Sequence, residues 1–114
     1  MCIRDSNGTM RSDIWLDTIG PSYIEYAFKF AKKYVAPGTR LYYNDYSIET
    51  VNNKSLAVQA MVKDFQKRKV PIDGVGLQSH FITGMSPSYQ QIRDAQALFT
   101  SLGLETALTE LCLL

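Results

Sequence analysis

A parallel α/β sheet is the fold this chain predicts, on three observations. Apolar residues recur at helical spacing in three stretches of the sequence. Short aromatic or apolar runs follow those stretches, bounded by glycine and proline. The polar, reactive residues gather where the runs stop: Asn44-Asp45, then Gln78-Ser79-His80, then Thr109-Glu110. Strand and helix in alternation make βαβ units, and parallel sheets keep their chemistry at the C-terminal ends of strands.

The first stretch repeats Ile24, Ala27, Phe28, Ala31 and Val35 on one helical face. Gly20-Pro21 opens it, since a first-turn proline lacks only an N–H that would have no partner anyway. Pro37-Gly38 closes it. Leu41-Tyr42-Tyr43 reads as a buried strand. A second helix covers about Ser55 to Lys69, with Val58, Met61, Val62 and Phe65 inside and Lys63, Asp64, Lys67 and Arg68 outside. Val70-Pro71 breaks it, because a residue before proline avoids the helical region. Val75-Gly76-Leu77-Gln78 is the next strand. Ser86-Pro87 reads as a helix start with Ser86 as N-cap, followed by a stripe of Ile92, Ala95, Phe99 and Leu102. Gly103 suits the left-handed residue after that helix, and Thr106-Ala107-Leu108-Thr109 is the last strand.

The 114 residues suffice for one ordinary core, and 46% hydrophobic against 20% charged residues is a globular balance. A net charge of +1 provides no basic field for nucleic acid or anionic lipid. No apolar run from Met1 onward is long enough for a signal peptide or a membrane span. Cys2 and Cys112 lie near opposite ends; they form no C-x-x-C pair, so a metal cluster is unsupported, and a disulfide between them is conceivable without being favoured.

Glu110 ends an apolar strand, where a carboxylate can be a nucleophile, a base or a metal ligand; alone it would read as an exposed loop glutamate. The neighbouring strand ends move the balance toward catalysis. His80, the single histidine, shares strand parity with Gln78 and could orient a carboxylate on the next strand, although a lone histidine is more often structural. Asn44 and Asp45 equally suit turn chemistry, and Tyr46 suits either sugar stacking or packing. Trp15 reads as packing. Gly74-Val75-Gly76 begins like a dinucleotide fingerprint, but Ser79 stands where the third glycine belongs and the glycines sit at the start of the strand and not after it. Asn7-Gly8-Thr9 and Asn53-Lys54-Ser55 fit the glycosylation pattern, which matters only in a eukaryotic secretory pathway.

Together these segments carry a resemblance. Leu41 to Tyr46, Pro71 to Phe81 and Thr109-Glu110-Leu111 resemble the fifth, sixth and seventh strand regions of glycoside hydrolase family 10, mainly endo-β-1,4-xylanases. Trp15 to Gly20, with Tyr23-Ile24 and Ala27-Phe28, resembles that family's fourth helix region. The resemblance implies part of a (β/α)8 TIM barrel of about 250 residues or more, from helix 4 through strand 7. It implies retaining hydrolysis of internal β-1,4-xylosidic bonds in xylan by two glutamates about 5–5.5 Å apart. Glu110 matches the nucleophile, His80 its support, and Gln78 a sugar contact; Asn44 and Tyr46 fall on the leaving-group side of the cleft.

The family's acid/base glutamate belongs in an Asn-Glu pair just upstream of Asn7, and is expected to be absent here. Glu25, Glu49 and Glu105 are wrongly placed to substitute. Residues 1–6 resemble adaptor read-through, so the expected catalytic-barrel piece is 7–111, with 1–6 and 112–114 non-native. Cys112 stands where the family usually has aspartate, and Ser47 where it usually has asparagine. The resemblance implies xylan and xylo-oligosaccharides as partners, no cofactor, no metal, no nucleic acid, no membrane, and a monomeric, secreted parent. The alternatives are a non-catalytic carbohydrate-binding α/β domain and a gene fragment without function, with open sheet edges that invite aggregation.

Overall fold

A computed structural model describes residues 3–114. Met1 and Cys2 lie outside the described residues, and with them the conceivable Cys2–Cys112 disulfide. The elements in chain order are α1 (Ile14–Ile19), α2 (Tyr23–Tyr34), β1 (Tyr42–Asp45), α3 (Asn53–Lys67), β2 (Gly74–Leu77), β3 (His80–Phe81), α4 (Tyr89–Thr100), β4 (Glu105–Leu108) and β5 (Cys112–Leu113). Strands β1, β2 and β4 form a parallel sheet in that order, with Tyr42, Gly74 and Glu105 in register. Strands β3 and β5 make a small second parallel sheet beyond the C-terminal ends of β2 and β4.

Strand alternation sorts the side chains of the main sheet. Tyr43, Val75 and Leu77 join one core with Ile24 and Phe28 of α2, Val58, Val62 and Phe65 of α3, and Phe99 of α4. The opposite parity carries Tyr42 and Asn44 on β1, Gly74 and Gly76 on β2, and Glu105 on β4. Asp45 shares parity with Tyr43 and therefore turns toward α3. Phe28 and Phe65 meet edge to face at 5.8 Å, joining α2 to α3.

Most helix ends follow their sequence signals. Asn52 and Ser55 form a reciprocal capping box at the start of α3, which begins two residues before the expected Ser55. The α4 start corrects the expectation. Its N-cap is Ser88, in a capping box with Gln91, while the Ser86 hydroxyl donates to the Ile82 carbonyl. The reciprocal Ser88–Gln91 bonds outweigh the Ser-Pro signal and leave Pro87 ahead of the helix. Val35 caps α2, so that helix stops before Pro37-Gly38. The short α1 is capped by the Asp13 carboxylate, and Trp15 on it is 50% exposed beside an apolar pocket lined by Ile3, Ile19, Tyr23 and Phe30. In the described part of the head, Ile3 packs against the core and Arg4 bridges Met10. Among the described residues no helix is long and apolar enough to cross a membrane.

Candidate active site

The strand ends bring Glu110 between two partners that act on different oxygens. The Asn44 amide donates to Glu110 Oε1 at 2.7 Å. His80 Nε2 stands 3.3 Å from Glu110 Oε2. The same ring nitrogen lies 3.2 Å from Gln78 Oε1, so it faces two oxygens. Its other nitrogen, Nδ1, lies 3.1 Å from Cys112 Sγ. Glu110 and His80 are both a little under half exposed, so a ligand can reach them.

Asn44 reaches Glu110 although a whole strand separates β1 from β4. Gly76 of β2 makes this possible. A Cβ on Gly76 would stand 2.6 Å from Asn44 Oδ1 and 2.7 Å from the Thr109 methyl. With that space left free, the Thr109 hydroxyl donates to Asn44 Oδ1 at 2.6 Å, and the oriented amide presents its N–H to Glu110. The main chain fixes the rest: Thr109 N–H donates to the Leu77 carbonyl, and Glu110 N–H to that of Gln78.

Two residues earlier the same pattern recurs. A Cβ on Gly74 would stand 2.4 Å from the Tyr42 ring, so the glycine lets Tyr42 lie across β2. The Tyr42 hydroxyl and the Arg40 guanidinium both donate to Glu105. The Arg40 bond first, and the Tyr42 bond second, hold the Glu105 carboxyl below its ordinary range. The Gly74-Val75-Gly76 run therefore supplies two crossing points between β1 and β4.

Behind Asn44, Asp45 is fully buried and accepts from Lys54 Nζ at 2.9 Å and from the Tyr43 hydroxyl at 2.7 Å. Burial, and then the Asp45 charge, push the Tyr43 phenol far above its ordinary range, which keeps it a donor. The buried Lys54 Nζ also sits 3.3 Å from the centre of the Tyr46 ring. One face of Tyr46 is thus occupied by a cation, and the half-buried ring is fixed in place at the edge of the site. Glu49 is 6% exposed and accepts the Ser79 N–H at 2.7 Å. Glu25 lies away from the site, paired to Lys29 and Arg68, which hold its carboxyl below the ordinary range.

The structure thus brings together Asn44, Gln78, His80 and Glu110, while the Tyr46 ring packs on Lys54 and is in none of these contacts. Sequence reading passed over Lys54 and gave Glu49 no positive role. The one signal for Lys54 was its place in the first turn of a helix that packs behind the Asn-Asp-Tyr run. Lys54 and Ser55 are both buried, so the Asn53-Lys54-Ser55 glycosylation pattern lies at a packed helix start. Among the described residues no group of three His, Cys, Asp or Glu side chains could hold a metal ion.

Comparison with known proteins bears on this arrangement. The sequence model for glycosyl hydrolase family 10 matches residues 2–113. Endo-1,4-beta-xylanase 2 of Aureobasidium pullulans is 42% identical over 94% of this chain and 32% of its own length. The structure of endo-1,4-beta-xylanase XylE from Penicillium canescens superposes with a TM-score of 0.94 at 40% identity, over 98% of this chain and 35% of that one. A family 10 xylanase from Bispora sp. MEY-1, solved with xylobiose, gives a TM-score of 0.89 at 47% identity over 93% of this chain and 33% of that one. The chain spans about a third of the length of these relatives.

Proposed function

The chain belongs to glycosyl hydrolase family 10, and from that membership we propose that its strand ends form one side of a xylan-cleaving cleft with Glu110 as nucleophile. Its parallel strands and flanking helices are a stretch of the (β/α)8 barrel. The observation that carries the proposal is the pair of contacts on Glu110: the Asn44 amide on one oxygen and His80 beside the other. Two partners on different oxygens fix the plane of the carboxylate before substrate arrives, so its orientation need not be set during the reaction.

In this reading Glu110 attacks the anomeric carbon and the sugar–oxygen bond breaks as a glycosyl-enzyme ester forms. A second carboxylic acid protonates the leaving oxygen, then takes a proton from the water that cleaves the ester. Net configuration is retained. Asp45 is bound to Lys54 and Tyr43, Glu49 to the Ser79 N–H, and Glu105 to Arg40 and Tyr42. On the family resemblance, which puts the acid/base glutamate in an Asn-Glu pair ahead of Asn7, we assign that role to a residue outside 3–114, with 7–111 as the catalytic piece. Gln78, Asn44 and Tyr46 contact the sugar, and xylan and xylo-oligosaccharides are the substrates. The 114-residue chain alone releases no sugar, since the leaving group would depart without a proton.

The test is xylan hydrolysis by the full-length protein and by its Glu110→Gln variant. Release of reducing sugar by the parent and none by the variant is expected, with the β-anomer released first by proton NMR. Undiminished release by Glu110→Gln sinks the nucleophile assignment, and initial release of the α-anomer sinks retention. The parent's export is a separate proposal, checked by comparing xylanase activity in culture medium and in washed cells.

A further inference from the structure

Ser79 interrupts the strand between Gln78 and His80. Its φ is 64°, in the left-handed region that side chains other than glycine's disfavour, and its side chain is completely buried. Gln78 N–H still donates to the Asp45 carbonyl as the last rung toward β1. The next N–H, that of Ser79, turns out of the ladder and would be buried without a partner. The Glu49 carboxylate, 30 positions away in sequence, takes that hydrogen at 2.7 Å. The rest of the turn is bonded too: the Ser79 hydroxyl donates to the Leu77 carbonyl at 2.9 Å, and the Ser79 carbonyl accepts from Cys112 N–H at 3.2 Å.

We propose that Glu49 is a positioning residue, whose bond to the Ser79 N–H holds the left-handed turn that sets His80 and Gln78 against the Glu110 carboxylate. The inference rests on the assignment of Glu110 made above. The segment after β1 then acts on both sides of the nucleophile. Asn44, at the end of β1, reaches Oε1 directly. Glu49, five residues further on, sets the turn that places His80 beside Oε2. A bond to a carboxylate is the strong kind of N–H bond, which suits a residue that must hold strained backbone. The amide oxygen of glutamine can accept the same hydrogen, whereas alanine leaves it buried and unpaired.

Four variants of the full-length protein test this, with kcat and KM on xylo-oligosaccharides beside wild type. A displacement of about 1 Å at reacting groups can cost about a hundredfold, so Glu49→Ala is expected to lose about that much in kcat with little change in KM. Glu49→Gln, which keeps the acceptor, is expected to recover at least about tenfold of that loss. Ser79→Gly placed in the Glu49→Ala background is also expected to recover turnover, because glycine takes a positive φ without strain. A packing role for Glu49 would not give that second rescue. Wild-type kcat in Glu49→Ala, equal losses in the alanine and glutamine variants, or a defect confined to KM would each overturn the proposal. A Glu49→Ala chain that does not fold is expected to be restored by Ser79→Gly, and failure to restore it counts the same way. Glu110→Gln run alongside separates the two ideas: its inactivity with an unaffected Glu49→Ala removes only the role of Glu49, whereas full activity removes the reading beneath it.

Discussion

Glu105 opens β4 and Glu110 lies two residues past its end, with the same side-chain exposure, 45%, yet only Glu110 is proposed to react. Each is reached by a β1 side chain that crosses a glycine of β2, Tyr42 over Gly74 and Asn44 over Gly76. The difference lies in the partners. Glu105 is bound by a guanidinium and a phenol, and its proton affinity falls. Glu110 is held by an uncharged amide and an imidazole, and among the described residues no lysine or arginine pairs with it. A permanent cation stabilises the anion and dulls it as a nucleophile. An amide fixes its direction without drawing off full charge. Under the proposed role of Glu110, solvent access does not separate the reacting carboxylate from the idle one; the guanidinium bound to Glu105 does.

The most severe way to break this contrast is to neutralise each glutamate in the full-length protein. Glu110→Gln is expected to reduce xylan turnover to background, while Glu105→Gln keeps wild-type kcat. Equal losses in the two variants would mean that the contrast describes packing and not chemistry.

The glycine crossings give a subtler comparison. Gly76→Ala places a methyl within 2.6 Å of Asn44 Oδ1. The short amide can swing aside at small cost in stability, but it is the group that holds Glu110. Turnover is expected to fall about a hundredfold while the melting temperature moves little. Gly74→Ala drives a methyl into the Tyr42 ring instead. It is expected to cost about 1–3 kcal/mol in urea unfolding and to leave kcat unchanged. A folded Gly76→Ala enzyme with wild-type kcat would show that Asn44 does not orient the nucleophile.

These crossings also mark where sequence reading stopped. The three long helices were legible because apolar stripes must face a core, and the strand ends because a parallel sheet gathers them at one rim. Asn44, Gln78, His80 and Glu110 followed from that rim. Tyr46 was legible as an aromatic at its edge, but its contact with Lys54 was not, since a helical lysine in a polar first turn looks solvated. Gly74-Val75-Gly76 reads locally as the start of a dinucleotide fingerprint that lacks its third glycine. Its use as floor for side chains from β1 depends on register, which no local pattern encodes. Ser79 was read as a missing glycine, and its positive φ shows that the backbone there does adopt a glycine-like conformation. The α4 start was misplaced because Ser86-Pro87 stands out in the sequence, while the deciding bond is reciprocal and lies two residues later.

The smallest expected effect closes the comparison from the Glu105 side. Arg40 and Tyr42 depress its folded-state pKa, so the folded protein binds that proton less readily than the unfolded chain does. Stability from this contact is therefore fully present above the ordinary glutamate range and is lost as pH falls through the lowered value. Glu105→Gln should melt slightly below wild type at neutral pH, and the gap should close in acid. Because the group is exposed, the gap should also shrink as salt is added. A gap that widens in acid would reverse the sign of the linkage and remove Arg40 as the partner that sets Glu105 apart from Glu110.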